Sequence, residues 1–523
     1  MLICLRLFQV ENAIEIAGNP TSDQNLKAQA FEFLSQLRSN PAGRQACLSI
    51  FTRTTPKASE VVRVVSLDVI NHAIQSQELD DQTLSWMKDS LMEYVRRTYG
   101  PNKQEEADQP ALQNKLTQTL TYLFISCYKQ GWESFLDDFL ALAGLQNNSF
   151  TEDGVVLYLR ILGSIHDEIA DVLVTRSSTE TKRNTELKDL VRARDAQKIA
   201  TSWQRILAQW QDGPVVFLTL KTIGKWVSWI DISLVVNQDT LNLLFALAGR
   251  TESNDKARIC AIDTFTEIVA KKMKKPDKLS MIAFLNLGEL VSQLIASPAL
   301  NDLRTTSNYD TDLAESVARL VNNVLLDIVS VLDDTVTAEP TVLAQAEQLL
   351  QTFLPLTLRF FSDEYDEICA TVIPSIADLL HCLRLLAPLP PAYSQILPPI
   401  LNAIIQKLRY DETSSWGNED EQTDEAEFQE LRKRLQVLLK TSAAVDQNLY
   451  IETMSNVVGN TFQRMDQQGG QIDWRDLDLA LHVMYLFGEL TVVNGGLYAK
   501  SQPSSVAAER LIVMMSKMVE SGK

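Results

Sequence analysis

Residues 347–383 read EQLLQTFLPLTLRFFSDEYDEICATVIPSIADLLHCL. Two apolar runs flank a short acidic turn, Ser362-Asp363-Glu364. The first run carries Pro355 in its interior, where the ring removes a hydrogen-bond donor and kinks a helix. The second places Ile368, Val372, Ile376 and Leu379 at i, i+4, i+8 and i+11, the spacing of one helical face. The stretch predicts two helices joined by a few residues, the first of them bent.

The same grammar runs along the chain. In 24–40, QNLKAQAFEFLSQLRSN, the residues Leu26, Ala30, Phe33, Leu34 and Leu37 form a stripe. Ser22 or Asp23 can cap its start, and Asn40-Pro41 is expected to end it. Residues 59–75, SEVVRVVSLDVINHAIQ, are rich in β-branched side chains but form too long a run for a strand. Val61, Val65, Ile70 and Ile74 keep a helical interval, so a helix is expected there too. Further helices follow through short breaks, among them 151–175, 186–211 and 277–296. Glycine (19) and proline (17) are scarce for 523 residues, which favours long helices over many strands and turns. The expected fold is all-α: a HEAT/armadillo-like helical-repeat superhelix, or α-solenoid, with two helices per unit of roughly 40–50 residues.

The formal net charge is −19, which disfavours nucleic acid and anionic membranes unless basic residues gather on one face. The six cysteines, Cys4, Cys47, Cys127, Cys260, Cys369 and Cys382, form no C-x-x-C pair and read as reduced, buried small hydrophobes. No uncharged apolar run reaches the length of a membrane span. The four histidines, His72, His166, His381 and His482, are scattered, and no metalloprotease, P-loop, dinucleotide-binding or nucleophile-elbow motif occurs. His166-Asp167-Glu168 and His381-Cys382 are sequence neighbours, so their side chains diverge on a helix. No enzyme activity, metal or cofactor is expected.

Residues 223–236, IGKWVSWIDISLVV, hold two tryptophans three apart. Ile223, Trp226, Val227 and Ile230 make a helical stripe, so Trp226 and Trp229 are expected to pack between neighbouring repeats. Three charged segments depart from the repeat pattern. Residues 176–198 carry Lys182, Arg183, Lys188, Arg192, Arg194 and Lys198, and residues 271–278 read KKMKKPDK. Residues 411–430 are dense in carboxylates and are followed by Arg432, Lys433 and Arg434. A solvated face is the plain reading of each. The sharper one is phosphate contact for the basic segments and a basic protein for the acidic one.

Five stretches together resemble the exportin-T family of the importin-β (karyopherin) superfamily, most closely its fungal form. They are ENAIEIAGNPTSDQNLKAQAFEFLSQLRSNP (11–41), NKLTQTLTYLFISCYKQGWESFLDDFLAL (114–142), TELKDLVRARDAQKIATSWQRILAQW (185–210), KWVSWIDISLVVNQDTLNLLF (225–245) and DEAEFQELRKRLQVLLK (424–440). The stretches at 114–142 and 424–440 are shared among exportins; 185–245 is the more specific. Residues 1–8 depart from the family's first helix, and the chain reads as the amino-terminal half of a longer member.

The resemblance implies a tRNA export receptor that binds tRNA cooperatively with Ran-GTP. Such a receptor passes the nuclear pore through nuclear pore proteins, shuttles between nucleus and cytoplasm, and releases tRNA on GTP hydrolysis. It also implies a division into 1–105, Ran-binding-type repeats; 106–260, an exportin-like region; and 261–523, further HEAT repeats with an acidic loop at 411–423. For Ran the expected residues are Arg63, Asp68, Asn71, Asn114 and Lys115. For tRNA phosphates they are Arg192, Arg194, Lys271, Lys272, Lys274 and Lys275. A karyopherin for protein cargo, or a helical scaffold indifferent to Ran, remains the alternative.

Overall fold

The computed structural model describes residues 2–76, 79–146, 149–251, 255–301, 308–334, 339–386, 388–391, 393–412, 422–468, 471–493 and 496–521, the side chains of 2–6, 422–424 and 492–493 excepted. Among them are 23 α-helices. They fall into two compact units, Met1–Ala248 and Gly249–Lys523.

The first unit contains α1 (Leu2–Gly18), α2 (Gln24–Ser39), α3 (Pro41–Thr52), α4 (Glu60–Ser76), α5 (Asp81–Tyr99) and α6 (Pro110–Cys127). It continues with α7 (Phe135–Leu142), α8 (Glu152–Ile169), α9 (Ser178–Arg194), α10 (Ala196–Gln209), α11 (Pro214–Val227), a 3-10 turn at Ile232–Leu234 and α12 (Gln238–Ala248). Helices pair as α3/α4, α5/α6, α7/α8 and α10/α11, and the second members α4, α6, α8 and α11 pack side by side in a row. This is the expected repeat: each helix hides an apolar stripe against its pair mate and its neighbours in the row.

The second unit holds α13 (Lys256–Ala270), α14 (Lys275–Leu285), α15 (Leu287–Ala296), α16 (Thr311–Leu332), α17 (Pro340–Phe361) and α18 (Asp366–Leu385). After these come α19 (Leu397–Lys407), α20 (Gln422–Val445), α21 (Gln447–Gln467), α22 (Trp474–Val493), a two-residue hairpin of β1 (Tyr498–Ala499) and β2 (Gln502–Pro503), and α23 (Val506–Ser521). Here the row is α13, α16, α18 and α20. By length and composition α18 could cross a membrane, but 56% of its apolar window is buried, the condition of a core helix.

The pair that decided the reading is present, and prolines interrupt both of its helices: Pro355 in α17 and Pro374 in α18. Pro374 offers no N–H to the carbonyl of Ala370. Arg434 of α20 donates to that carbonyl at 3.3 Å, and the N–H of Ser375 goes to Asn322 Oδ1 of α16 at 3.1 Å. Backbone groups beside the proline are thus paired with both neighbours in the row.

Several boundaries differ from the sequence reading. Pro41 does not only end α2; it opens α3, sitting at the first turn where a missing N–H costs nothing. The helix expected over 151–175 stops at Ile169, because Arg176 donates to the carbonyls of Asp167 (2.8 Å), Asp171 and Val174 and folds the chain into a turn. The helix expected over 186–211 starts earlier, at Ser178, where Ser177 and Glu180 form a reciprocal cap, and breaks at Asp195. The one expected over 277–296 bends by 45° at Asn286, which adopts the left-handed conformation at φ 47°. The acidic loop expected at 411–423 lies outside the described residues for 413–421.

Candidate partner-binding surfaces

Helices α4 and α6 carry the five residues expected to meet Ran. Their burial separates them. Arg63 is 4% exposed. Its guanidinium bonds Asp108 at 2.9 Å and Tyr94 at 2.5 Å and lies over the Phe51 and Tyr94 rings. Asn71 is also buried, donating to Gln118 at 3.2 Å. Both are therefore internal ties between α4 and the α5/α6 pair, because the α4 face that carries them is covered by neighbouring helices.

The other three lie nearer the surface and join a line of polar contacts across the row. Asp68 is half-exposed and receives Arg38 of α2 at 2.9 Å and Lys115 of α6 at 2.8 Å. Lys115 also reaches Gln118 at 3.2 Å. Exposed Asn114 accepts from Arg160 of α8 at 2.6 Å, and Asp167 of α8 pairs with Lys225 of α11 at 2.5 Å. Sequence reasoning missed Arg38, Gln118 and Arg160, since each is linked to its partner only by packing. Half-exposed ion pairs contribute roughly 0–1 kcal/mol each. These contacts orient side chains and can exchange for a ligand's groups at little cost.

The tryptophan pair belongs to the core. Trp226 is 0% and Trp229 9% exposed, their ring centres are 4.6 Å apart, and Trp203 of α10 meets Trp226 edge-on. Trp226 donates to the Leu162 carbonyl at 2.9 Å, and Trp229 donates to His166 Nδ1 at 3.2 Å, both on α8. Burial lowers the His166 pKa to about 4, so the ring stays neutral and accepts that bond.

The two arginines expected at RNA are partly committed. Arg192 donates to the Trp229 carbonyl at 2.8 Å and to Asp189 at 2.6 Å, and lies over the Trp229 ring. Arg194 donates to the Tyr128 carbonyl at 2.7 Å and lies 4.1 Å from that ring's centre. Nearby Lys188 has its pKa lowered, first by burial and then by Arg192 and Arg176.

Lys271, Lys272 and Lys274 occupy the turn between α13 and α14, and Lys275 opens α14. Lys272 and Lys274 are exposed and form no ion pair with described residues. Lys275 donates to the Ser330 carbonyl at 2.7 Å and pairs with Asp334 at 3.2 Å. Lys271 is half-buried, and its carbonyl is held by Lys278.

Three carboxylates, Asp108, Asp195 and Asp363, are buried although carboxylates are usually exposed. Each sits in a connection between consecutive helices and takes a tyrosine hydroxyl and a cation. Asp108 receives Tyr94 (2.6 Å), Tyr99 (2.8 Å) and Arg63. Asp195 receives Tyr128 (2.5 Å) and Lys198 (3.0 Å). Asp363 receives Tyr309 and Arg359. Among the described residues no His/Cys/Asp/Glu group has metal-ligand geometry. Burial raises the thiols of Cys47 and Cys369 to about 12 and those of Cys127 and Cys382 to about 11, which leaves them unreactive.

Against known proteins, 519 residues are 69% identical to an exportin-T of Sclerotinia sclerotiorum, covering 98% of this chain and 50% of that protein. Along nearly its whole length the chain is thus similar to exportin-T. The exportin-T family model matches residues 340–523, and the model of exportin 1-like proteins matches 109–265. An exportin-T of Neurospora crassa is 59% identical over 524 residues, covering 98% of this chain and 51% of the relative. The chain thus spans about half the length of the curated relatives it matches. Among solved structures, importin 13 in its cytosolic state aligns at TM-score 0.58 and 12% identity, over 80% of this chain and 48% of that one. That likeness is one of fold: stacked helix pairs.

Proposed function

We propose that this chain belongs to the exportin-T family and acts in nuclear export of tRNA. It binds tRNA cooperatively with Ran-GTP, crosses the pore by contact with nuclear pore proteins, and releases tRNA in the cytoplasm when Ran hydrolyses its GTP. The receptor performs no chemistry itself. The observation that carries this reading is the 69% identity to an exportin-T across 98% of the chain.

In this reading residues 1–105 and the adjoining start of 106–260 meet Ran. Asp68, Asn114 and Lys115 contact it from the surface of α4 and α6, while Arg63 and Asn71 set the spacing of those helices from inside. Arg192, Arg194, Lys271, Lys272, Lys274 and Lys275 lie toward RNA phosphates. The polar line across α2, α4, α6, α8 and α11 supports the assignment, because its weak pairs can open and re-pair on a ligand. Cooperation between Ran and tRNA is then linkage: each favours the same arrangement of the repeats, so each raises the other's affinity.

The test is tRNA binding to the chain with Ran-GTP, Ran-GDP or no Ran at two salt concentrations. Binding that needs Ran-GTP and weakens steeply with salt is the expected result. Ran-GTP binding without tRNA, but with a protein cargo, would move the reading to a protein karyopherin. Indifference to the nucleotide on Ran would leave a helical scaffold.

A further inference from the structure

The basic turn at 271–275 contains two kinds of lysine. Lys275 is anchored on the end of α16, through the Ser330 carbonyl and Asp334. Lys278, two residues into the α14 sequence beyond Pro276, is only 6% exposed. Its ammonium donates to the carbonyls of Val269 and Lys271 (2.6 Å for the latter), at the end of α13, and lies 3.4 Å from Asp327 of α16. A buried ammonium is stable only with partners of this kind. Carbonyls at a helix C-terminus are good ones, because the helix dipole places negative potential there. Burial raises the Asp327 carboxyl, and the neighbouring ammonium pulls it back.

Lys278, through the carbonyls of Val269 and Lys271, and Lys275, through Ser330 and Asp334, therefore hold the two ends of the turn, and their charges are compensated by Asp327 and Asp334. Between those ends, Lys272 and Lys274 are exposed and have no carboxylate partner among the described residues. The turn itself is held, so these two side chains project from a fixed backbone. Presentation from a fixed backbone lowers the ordering cost of binding an anion.

We infer that Lys278 is the positioning residue of a phosphate-binding turn in which Lys272 and Lys274 make the contacts. This inference rests on the tRNA reading above. Lys278 touches no ligand; it fixes the turn by tying the end of α13 to α16. Arg192 and Arg194 are less suited to the same task, since each already donates to a main-chain carbonyl.

The experiment is lysine acetylation mapped by mass spectrometry, together with tRNA affinity against salt in the presence of Ran-GTP. The proteins are the unmodified chain, Lys278→Met, Lys278→Arg and the surface double variant Lys272→Gln/Lys274→Gln. In the unmodified chain Lys272 and Lys274 should acetylate readily, Lys278 should resist, and tRNA should protect the first two. The double variant should lower the salt slope by up to about 2, at about 0.9 per phosphate contact. Lys278→Met should lower it by a similar amount, and Lys278→Arg should restore it. A lower melting temperature for Lys278→Met with an unchanged slope would mean a purely structural lysine and overturn the assignment. If Lys278→Met does not fold, the double variant and the protection pattern decide alone. Should tRNA fail to bind, inorganic polyphosphate is the second probe. Protection of Lys272 and Lys274 by it would keep the polyanion turn while the tRNA reading falls. No protection by either probe would overturn the inference, as would tRNA binding that leaves both lysines reactive and the slope of the double variant unchanged.

Discussion

Acidification should loosen the tryptophan cluster before it loosens the rest of the first unit. His166 is buried on α8 and accepts from Trp229 Nε1 through Nδ1, which requires the neutral ring. Burial is the main cause that lowers its pKa to about 4 from the ordinary 6.5; Lys225 and Arg176 add to the shift, and Asp167 and Asp171 oppose it. Above pH 6.5 the folded and unfolded chains are both neutral at this site. As pH falls through 6.5 the unfolded chain takes up a proton that the folded chain refuses until about pH 4, so stability drops across that window. With these two values the loss between pH 7.5 and pH 5 is about 2 kcal/mol. Repeat arrays do not unfold in one step, so the readout should be local: hydrogen exchange of α8–α11, corrected for the intrinsic pH dependence of exchange. The comparison is with His166→Gln, which keeps an acceptor and cannot titrate. Between pH 7.5 and 5 the unmodified chain should lose about 2 kcal/mol more protection than the variant. Equal losses in the two proteins would refute the argument, because the titrating group would then lie elsewhere.

Two other perturbations test the core. Trp226→Ala removes a fully buried indole, its bond to Leu162 and its contacts with Trp203 and Trp229, and should cost about 3–5 kcal/mol in denaturant unfolding of the first unit followed by tryptophan fluorescence; a much smaller loss would mean the site collapses without strain. Asp108→Asn strips the charge facing Arg63 and should cost about 3–5 kcal/mol by the same measurement, since it leaves a buried guanidinium uncompensated. Arg63→Met combined with Asp108→Asn should recover part of that loss.

Helical periodicity made the fold class legible because every helix must hide an apolar stripe, whatever its neighbours are. The 59–75 run shows the strength of that signal: its β-branched residues favour a strand, yet its length and interval decided for a helix, and α4 is one. What periodicity could not supply were the interruptions. Apolar letters continue through Val172, Leu173 and Val174, but the helix has already stopped, because Arg176 takes up the Asp167 carbonyl of its last turn and that of Asp171 just beyond it. Asn286 and Asp195 each break a run by a single residue's conformation or bonding, without any change in composition around it. The surface residues were legible as types and not as positions. Arg63 and Lys115 look alike in sequence; only packing puts one on Asp108 in the interior and the other on Asp68 at the surface.

That difference carries the functional argument. At Asp108, Asp195 and Asp363 a buried carboxylate in the connection between two helices holds a tyrosine and a cation, and each node takes one partner from an earlier element: Arg63 of α4, Tyr128 after α6 and Tyr309 before α16. Breaking the Asp108 node leaves a buried charge, so the fit of one pair on the next is held from inside there. Between pairs the α4–α6–α8–α11 row combines apolar packing with half-exposed polar contacts, each worth at most about 1 kcal/mol. In the second unit, Pro374 shifts backbone bonding from within α18 toward α16 and α20, so that neighbours in the row share hydrogen bonds that a regular helix would keep to itself. A ligand laid along the row can exchange those surface contacts without breaking a buried node. Buried nodes thus hold the fold while surface contacts of the row remain exchangeable, and the proposed cooperation of Ran-GTP with tRNA needs both.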